Sequence, residues 1–137
     1  MISSFVLSET DCHRLTANLP EPDVRDIFLL LLHTGMRRSE ISVLRWSDVS
    51  FTARGLNVRS LKARRFITMN WTVHEILTRR FRGQNSADYV LGANSHCLIG
   101  KSVAIIKRVA TTLGIRFSLN CLRRSAAVRL FEKGVSS

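Results

Sequence analysis

Apolar residues in the first third of the chain recur at helical spacing. Ser8 is placed to cap a first helix, with Asp11 three positions on in a capping-box-like pattern, and the Leu19–Pro22 segment ends it. Val24, Ile27, Phe28 and Leu31 then fall on one helical face. Leu29, Leu30 and Leu32 make that second helix apolar nearly all round, which predicts a central, buried element closed by Thr34-Gly35. A further helix is expected from about Ser39 to Trp46, burying Ile41, Leu44 or both.

The period changes after residue 50. Leu56 and Val58 alternate with polar neighbours, Phe66 to Met69 reads as a second extended run, and residues 60–63 are the turn of a basic hairpin. Asn70 caps a helix carrying Val73, Ile76, Leu77 and Phe81 on one face. Residues 82–101 read as a loop around the apolar island Tyr89 to Leu91. Ser102 is expected to cap the next helix, which buries Ile105 or Ile106, Val109 and Leu113 and ends at Gly114. Ser118 caps the last, with Leu119, Leu122, Ala126 and Leu130 inward and Gly134 at its end. The pattern predicts one mainly α domain with a small antiparallel β-sheet (α+β), over residues 1–137.

Charge narrows the partner. The 137 residues carry a formal net charge of +11. Residues 1–50 hold five Lys/Arg and seven Asp/Glu, whereas residues 51–137 hold sixteen and three. Arg54, Arg59, Lys62, Arg64 and Arg65 lie in one stretch without an acid between them. Such a one-sided field favours a polyanion, nucleic acid above all. The longest apolar run, Ile27 to Leu32, is too short to span a membrane, and no secretory signal pattern opens the chain. Cys12, Cys97 and Cys121 form no CxxC pair, which fits a reducing cytoplasm and neither a disulfide framework nor a zinc cluster. The four histidines lack metal-site spacing, and no glycine-rich phosphate loop is present, so neither metal nor cofactor is expected.

Two short runs could carry chemistry. In His33-Thr34-Gly35-Met36-Arg37-Arg38-Ser39-Glu40, an arginine follows a buried helix, and Glu40 lies three positions on, where it could brace Arg37 as a phosphate clamp. In Asn120-Cys121-Leu122-Arg123-Arg124, an arginine sits near the first turn of a helix, where dipole and free N–H groups favour an anion. Spacing alone is equally compatible with solvated arginines at both places. Lys62 near the hairpin tip is by spacing a solvated lysine, or a proton donor to a leaving oxygen. Trp46 reads as core, Trp71 could stack on bases, and Tyr89 reads as core or strand.

The stretch Leu29-LLLHTGMRRSEISVLRWSDVSF resembles the first conserved box of the tyrosine recombinases, the phage integrase family. Ser118-LNCLRRSAAVRLFEKGVSS resembles the start of their second box, and the hairpin between matches in place and character. Phe5 to Glu9 loosely resembles the opening of their catalytic domain. The resemblance implies a tyrosine recombinase catalytic-domain-like fold, incomplete at its C-terminal end. It also implies a metal-free reaction in which a tyrosine hydroxyl attacks a DNA phosphodiester, giving a 3′-phosphotyrosyl link and a 5′-hydroxyl. It maps the two clamp arginines, which hold the non-bridging oxygens, to Arg37 and Arg123. It maps the supporting acid to Glu40 and the general acid to Lys62. Arg38 and Arg124 are auxiliary phosphate contacts or solvated neighbours, and Arg59, Arg64 and Arg65 join the DNA-binding set. Asn120 stands where the family usually has histidine; it can donate a hydrogen bond but cannot shuttle a proton near neutral pH. The family's nucleophile follows its second box, and the single tyrosine here, Tyr89, precedes it.

The expected function is therefore the duplex-DNA-binding part of a site-specific recombinase catalytic domain, without strand cleavage by this chain alone. The alternatives are a non-catalytic DNA-binding or recombinase-interacting remnant and an RNA-associated basic protein. Self-association, or association with a full-length recombinase, is expected if the last helix exposes apolar surface.

Overall fold

The structure, a computed structural model, describes residues 7–59 and 63–132, with side chains to residue 126. Helix α1 spans Glu9–Asn18, and the Asp11 N–H donates to Ser8 Oγ at 3.0 Å, as the cap pattern predicted. Helix α2 spans Pro22–Thr34 with proline in its first turn, where a missing N–H costs nothing. Val24, Ile27, Phe28, Leu30, Leu31 and Leu32 are all buried, so α2 is the central element its sequence implied. It packs against α1 and the three later helices α4 (Trp71–Arg80), α5 (Ser95–Leu113) and α6 (Leu119–Glu132). Gly35 closes α2 at φ 69°, a left-handed conformation that side chains resist. A Cβ there would also stand 3.4 Å from that of Ala126 on α6, so the turn fixes how closely α6 approaches.

The third helix is shorter than expected. Helix α3 covers only Arg38–Ser42, and a 3₁₀ turn follows at Trp46–Asp48. Residues 44–47 are drawn away into pairing with the downstream loop: the Trp46 N–H donates to the Asp88 carbonyl (3.0 Å) and the Val90 N–H to that of Leu44 (2.8 Å). The sheet has three strands rather than two: β1 (Val49–Ser50), β2 (Gly55–Arg59) and β3 (Arg64–Thr68), all antiparallel in that order. Leu56 and Val58 face inward on β2, where Val58 lies opposite Arg65 and Leu56 opposite Ile67. Arg65 thus shares the body-facing side of β3, while Arg64 and Phe66 point to the other. Phe66 lays its ring over Gly55, where a side chain would collide with it.

Asn70 caps α4 as expected, its Oδ1 accepting the Val73 N–H at 3.0 Å. Helix α4 runs antiparallel to α2: Asn70 bonds His33 at one end, and Arg79 and Arg80 pair with Asp26 at the other. Helix α5 begins seven residues earlier than its expected cap at Ser102, which is buried inside it. Asn94 is its N-cap residue, the Ser95 hydroxyl in its first turn donates to the Ser42 carbonyl at 2.6 Å, and Ile99, Val103, Ile106 and Ala110 form its buried stripe. Residues 95–101 are therefore helix, not loop. Ser118 caps α6, accepting the Cys121 N–H at 3.1 Å. Leu122 and Ala126 face inward, and Leu130 and Gly134 lie outside the described side chains. Trp46 is buried, with the Phe81 ring edge-on at 5.0 Å. No helix among the described residues is long and apolar enough to cross a membrane.

Candidate phosphate-binding site

Two turns that are far apart in sequence build one cleft. At the end of α2, Thr34 Oγ1 donates to the Leu30 carbonyl (2.6 Å) and accepts the Met36 N–H (3.2 Å). Gly35 then reverses the chain, Met36 plugs the core, and Arg37 emerges with 56% of its side chain exposed. From α6, Arg123 Nε donates to the Gly35 carbonyl at 3.3 Å, so the second arginine is tied to the turn that presents the first. Arg37, Arg38, Asn120 and Arg123 line a cavity of about 180 Å³ floored by Met36 and Leu122. Three arginines and an amide at the mouth of a small cleft suit a singly charged tetrahedral oxyanion such as a phosphodiester.

Glu40 is nearly fully buried, yet its main partner is not the Arg37 side chain. Its Oε1 accepts the Arg37 backbone N–H at 2.8 Å, while the Arg37 guanidinium stands 4.0 Å from Oε2. Both oxygens are instead forked by Arg65 of β3, at 2.7 and 3.0 Å. Burial alone would raise the Glu40 carboxyl. The Arg65 hydrogen bonds, the Arg37 N–H and the two guanidinium charges outweigh it, and the group is held below the usual carboxylate range. The Arg65 guanidinium is raised, first by its hydrogen bonds to Glu40 and against the desolvation it suffers. A depressed carboxyl stabilises the fold above its unfolded pKa and loses that contribution as pH falls through its folded value. Urea midpoints measured from neutral to acid pH are therefore expected to fall more steeply for the wild type than for Glu40→Gln, the two curves converging at the acid end. Parallel curves would show that the pair contributes nothing to folding.

The basic residues expected around the clamp divide. Arg59 is held by the buried Asp48, Nε to Oδ1 at 3.1 Å and Nη2 to Oδ1 at 2.9 Å. Arg65 is held by Glu40. Arg64 is exposed on the outer face of β3. Arg38 leans over Gly100 of α5, and Arg124 is half-buried on α6 beside the cleft without lining it. Lys62 lies outside the described residues. Tyr89 is half-buried, bridges Arg45 through its backbone and lies under the Arg45 guanidinium at 5.2 Å. It lines an open groove with Asp23, at the far end of α2, about 18 Å along the helix from Gly35. That distance separates it from the arginine cleft. Trp71 is 76% exposed, with Arg54 stacked on its ring at 5.2 Å.

Three partners went unread in the sequence: the Gly35 carbonyl for Arg123, Asp48 for Arg59, and Arg65 for Glu40. Only the last had a signal. Arg65 shares strand parity with the apolar Ile67, whereas Arg64 shares it with Phe66 and Thr68. Among the described residues no group of three or more His, Cys, Asp or Glu could hold a metal ion.

Known proteins supply the frame for this cleft. A solved structure of the XerA recombinase superimposes with a TM-score of 0.74 at 24% identity, over 96% of this chain and 52% of that one. The Tn1549 transposon integrase, solved in complex with circular intermediate DNA, superimposes at 0.72 and 18% identity, over 99% of this chain and 55% of that one. At these identities the likeness establishes the fold. In sequence, the tyrosine recombinase XerA of Pyrococcus furiosus is 30% identical over 139 aligned positions, spanning 94% of this chain and 49% of XerA. The chain thus spans about half the length of the relatives it matches. Residues 6–137 match the phage integrase family throughout, both boxes and the hairpin included, and the chain belongs to that family of tyrosine recombinases.

Proposed function

We propose that this chain is the phosphate-gripping portion of a DNA strand-exchange catalytic domain, binding duplex DNA at one phosphodiester. The carrying observation is the convergence of Arg37 and Arg123 on one cleft, the second tied to the carbonyl of the turn that presents the first. In this reading Arg37 and Arg123 hold the non-bridging oxygens as charge builds, and Asn120 donates a further hydrogen bond. Lys62 supplies the proton to the leaving oxygen. Arg38, Arg64 and Arg124 add field and outer phosphate contacts. The solved complex of the related Tn1549 integrase with DNA supports the partner class. The three free cysteines suit a reducing cytoplasm.

The attacking hydroxyl is not in this cleft, because the one tyrosine in the sequence, Tyr89, lies at the other end of α2. Asn120, exposed where the family carries histidine, favours the second reading, a DNA-binding module that assists a complete recombinase. Fluorescence anisotropy on a short duplex tests both. Arg37→Ala and Arg123→Ala are each expected to weaken binding by about tenfold or more, the value of a charge-assisted hydrogen bond. A nicked suicide substrate is expected to trap no covalent adduct. Unchanged affinity in both variants would remove the clamp; preference for structured RNA over duplex would replace the partner.

A further inference from the structure

We propose that Arg65 is a positioning residue: by forking both oxygens of Glu40 it keeps the Arg37 guanidinium available for a DNA phosphate. This rests on the clamp reading above and adds a residue that need not touch DNA.

One carboxylate performs two tasks. Glu40 fixes the main chain of Arg37 through a 2.8 Å bond from its N–H, yet leaves the Arg37 side chain loosely placed at 4.0 Å. That combination needs a second cation, because a buried carboxylate without one is strongly disfavoured. Arg65 is that cation, with two parallel bonds at 2.7 and 3.0 Å. The charges of Glu40 and Arg65 then cancel, and the full positive charge of Arg37 faces the cleft. Without Arg65 the nearest cation to Glu40 among the described residues is Arg37 itself, three positions away on the same helical turn. The carboxylate would close on its guanidinium and withdraw it from the phosphate.

Strand geometry explains why Arg65, and not Arg64, does this. Arg65 sits opposite Val58 on the side of β3 that faces the body and reaches α3; Arg64 sits on the other. The fork on Glu40 uses one N–H of each terminal nitrogen and leaves the Arg65 side chain 40% exposed, so a direct phosphate contact through its remaining N–H groups is the competing role that the test must separate. The pair also ties the hairpin to the turn carrying the clamp, so sheet and cleft are held in one register.

A rescue experiment separates this from a direct contact. Arg65→Gln is expected to weaken duplex binding by about tenfold, as loss of one clamp arginine would. Arg65→Lys, which still neutralises Glu40, is expected to keep most of the affinity. Adding Glu40→Gln to Arg65→Gln is expected to restore binding to near the wild-type value, since nothing is left to withdraw Arg37. A direct Arg65–phosphate contact predicts no such restoration, and that result would overturn the proposal. Side-chain NMR of the free protein gives a readout without DNA. Rotation and hydrogen exchange of the Arg37 guanidinium should be fast in the wild type, slowed in Arg65→Gln and fast again in the double variant. Identical Arg37 behaviour in all three would equally overturn it. If the wild type binds no duplex, the functional reading fails and the NMR series alone decides the role of Arg65. Should Arg65→Gln fail to melt cooperatively, Arg65→Met, which retains the stem packing, is measured the same way, alone and with Glu40→Gln.

Discussion

Raising monovalent salt from roughly 50 to roughly 200 mM is expected to weaken duplex DNA binding by this chain about 500-fold. The figure follows from the arginines that the proposed site places at the cleft and on the outer face of the hairpin, rather than from the total charge of +11. Arg38, Arg64, Arg123 and Arg124 form no ion pair among the described residues, and Arg37 forms only the loose one at 4.0 Å. Five phosphate contacts give a slope of log affinity against log salt of about −4.5, hence the 500-fold loss for a fourfold rise in salt. If Arg59 and Arg65 left Asp48 and Glu40 to meet phosphate as well, the slope would steepen to about −6. Anisotropy titrations at several salt concentrations read this slope directly. A value near zero would mean that the cleft does not engage the duplex at all. A value near −6 would mean that basic residues beyond these five meet phosphate, and a slope that returns toward −4.5 in a variant lacking both Arg59 and Arg65 would identify the two internal pairs as the ones that open.

The division of the basic residues shows where the sequence was legible and where it was not. Caps at Ser8, Asn70 and Ser118 and the stop at Gly35 were readable because each is a local event. A side-chain oxygen meets an N–H three residues away, or a glycine takes a left-handed turn. The central place of α2 was readable from its apolar circumference. Features set by distant partners were not. The first turn of α5 is anchored by Ser95 to the carbonyl of Ser42, 53 positions away, while Ser102, buried inside the helix, offered a false cap. The end of α3 depends on residues 44–47 pairing with residues 86–90. The site follows the same rule. The two motifs singled out the arginines that line the cleft, but the Arg65 fork on Glu40 spans 25 positions and the Arg123 bond to Gly35 spans 88. Charge counts treat every arginine alike, whereas the fold assigns some to carboxylates and leaves others without an ion pair among the described residues.

Phe28 links the core to the helix that carries Arg123, and Phe28→Ala is expected to lower stability by about 3–5 kcal/mol. Its side chain is fully buried at the middle of α2, where a ring-sized void cannot be closed by the helices packed around it. A domain of this size holds roughly 5–15 kcal/mol in total, so a large share of it would be lost, with a fall in melting temperature of about 10–15 °C. The effect should reach the cleft. The Phe28 ring stands 6.4 Å from that of Phe117, which precedes the cap of α6, and α6 carries both Asn120 and Arg123. Losing that contact loosens the entry of α6 while leaving the Arg37 turn capped by Thr34 and Gly35. Urea midpoints measure the stability loss, and anisotropy at a temperature where the variant remains folded measures the consequence for DNA. Binding should weaken in Phe28→Ala but much less in Phe28→Leu, which keeps most of the volume. It should weaken no further when Arg123→Ala is added if the loosened helix has already cost the second clamp. Full additivity of the two substitutions would show instead that α6 holds Arg123 in place through its own contacts with α2, independently of the Phe28–Phe117 pair.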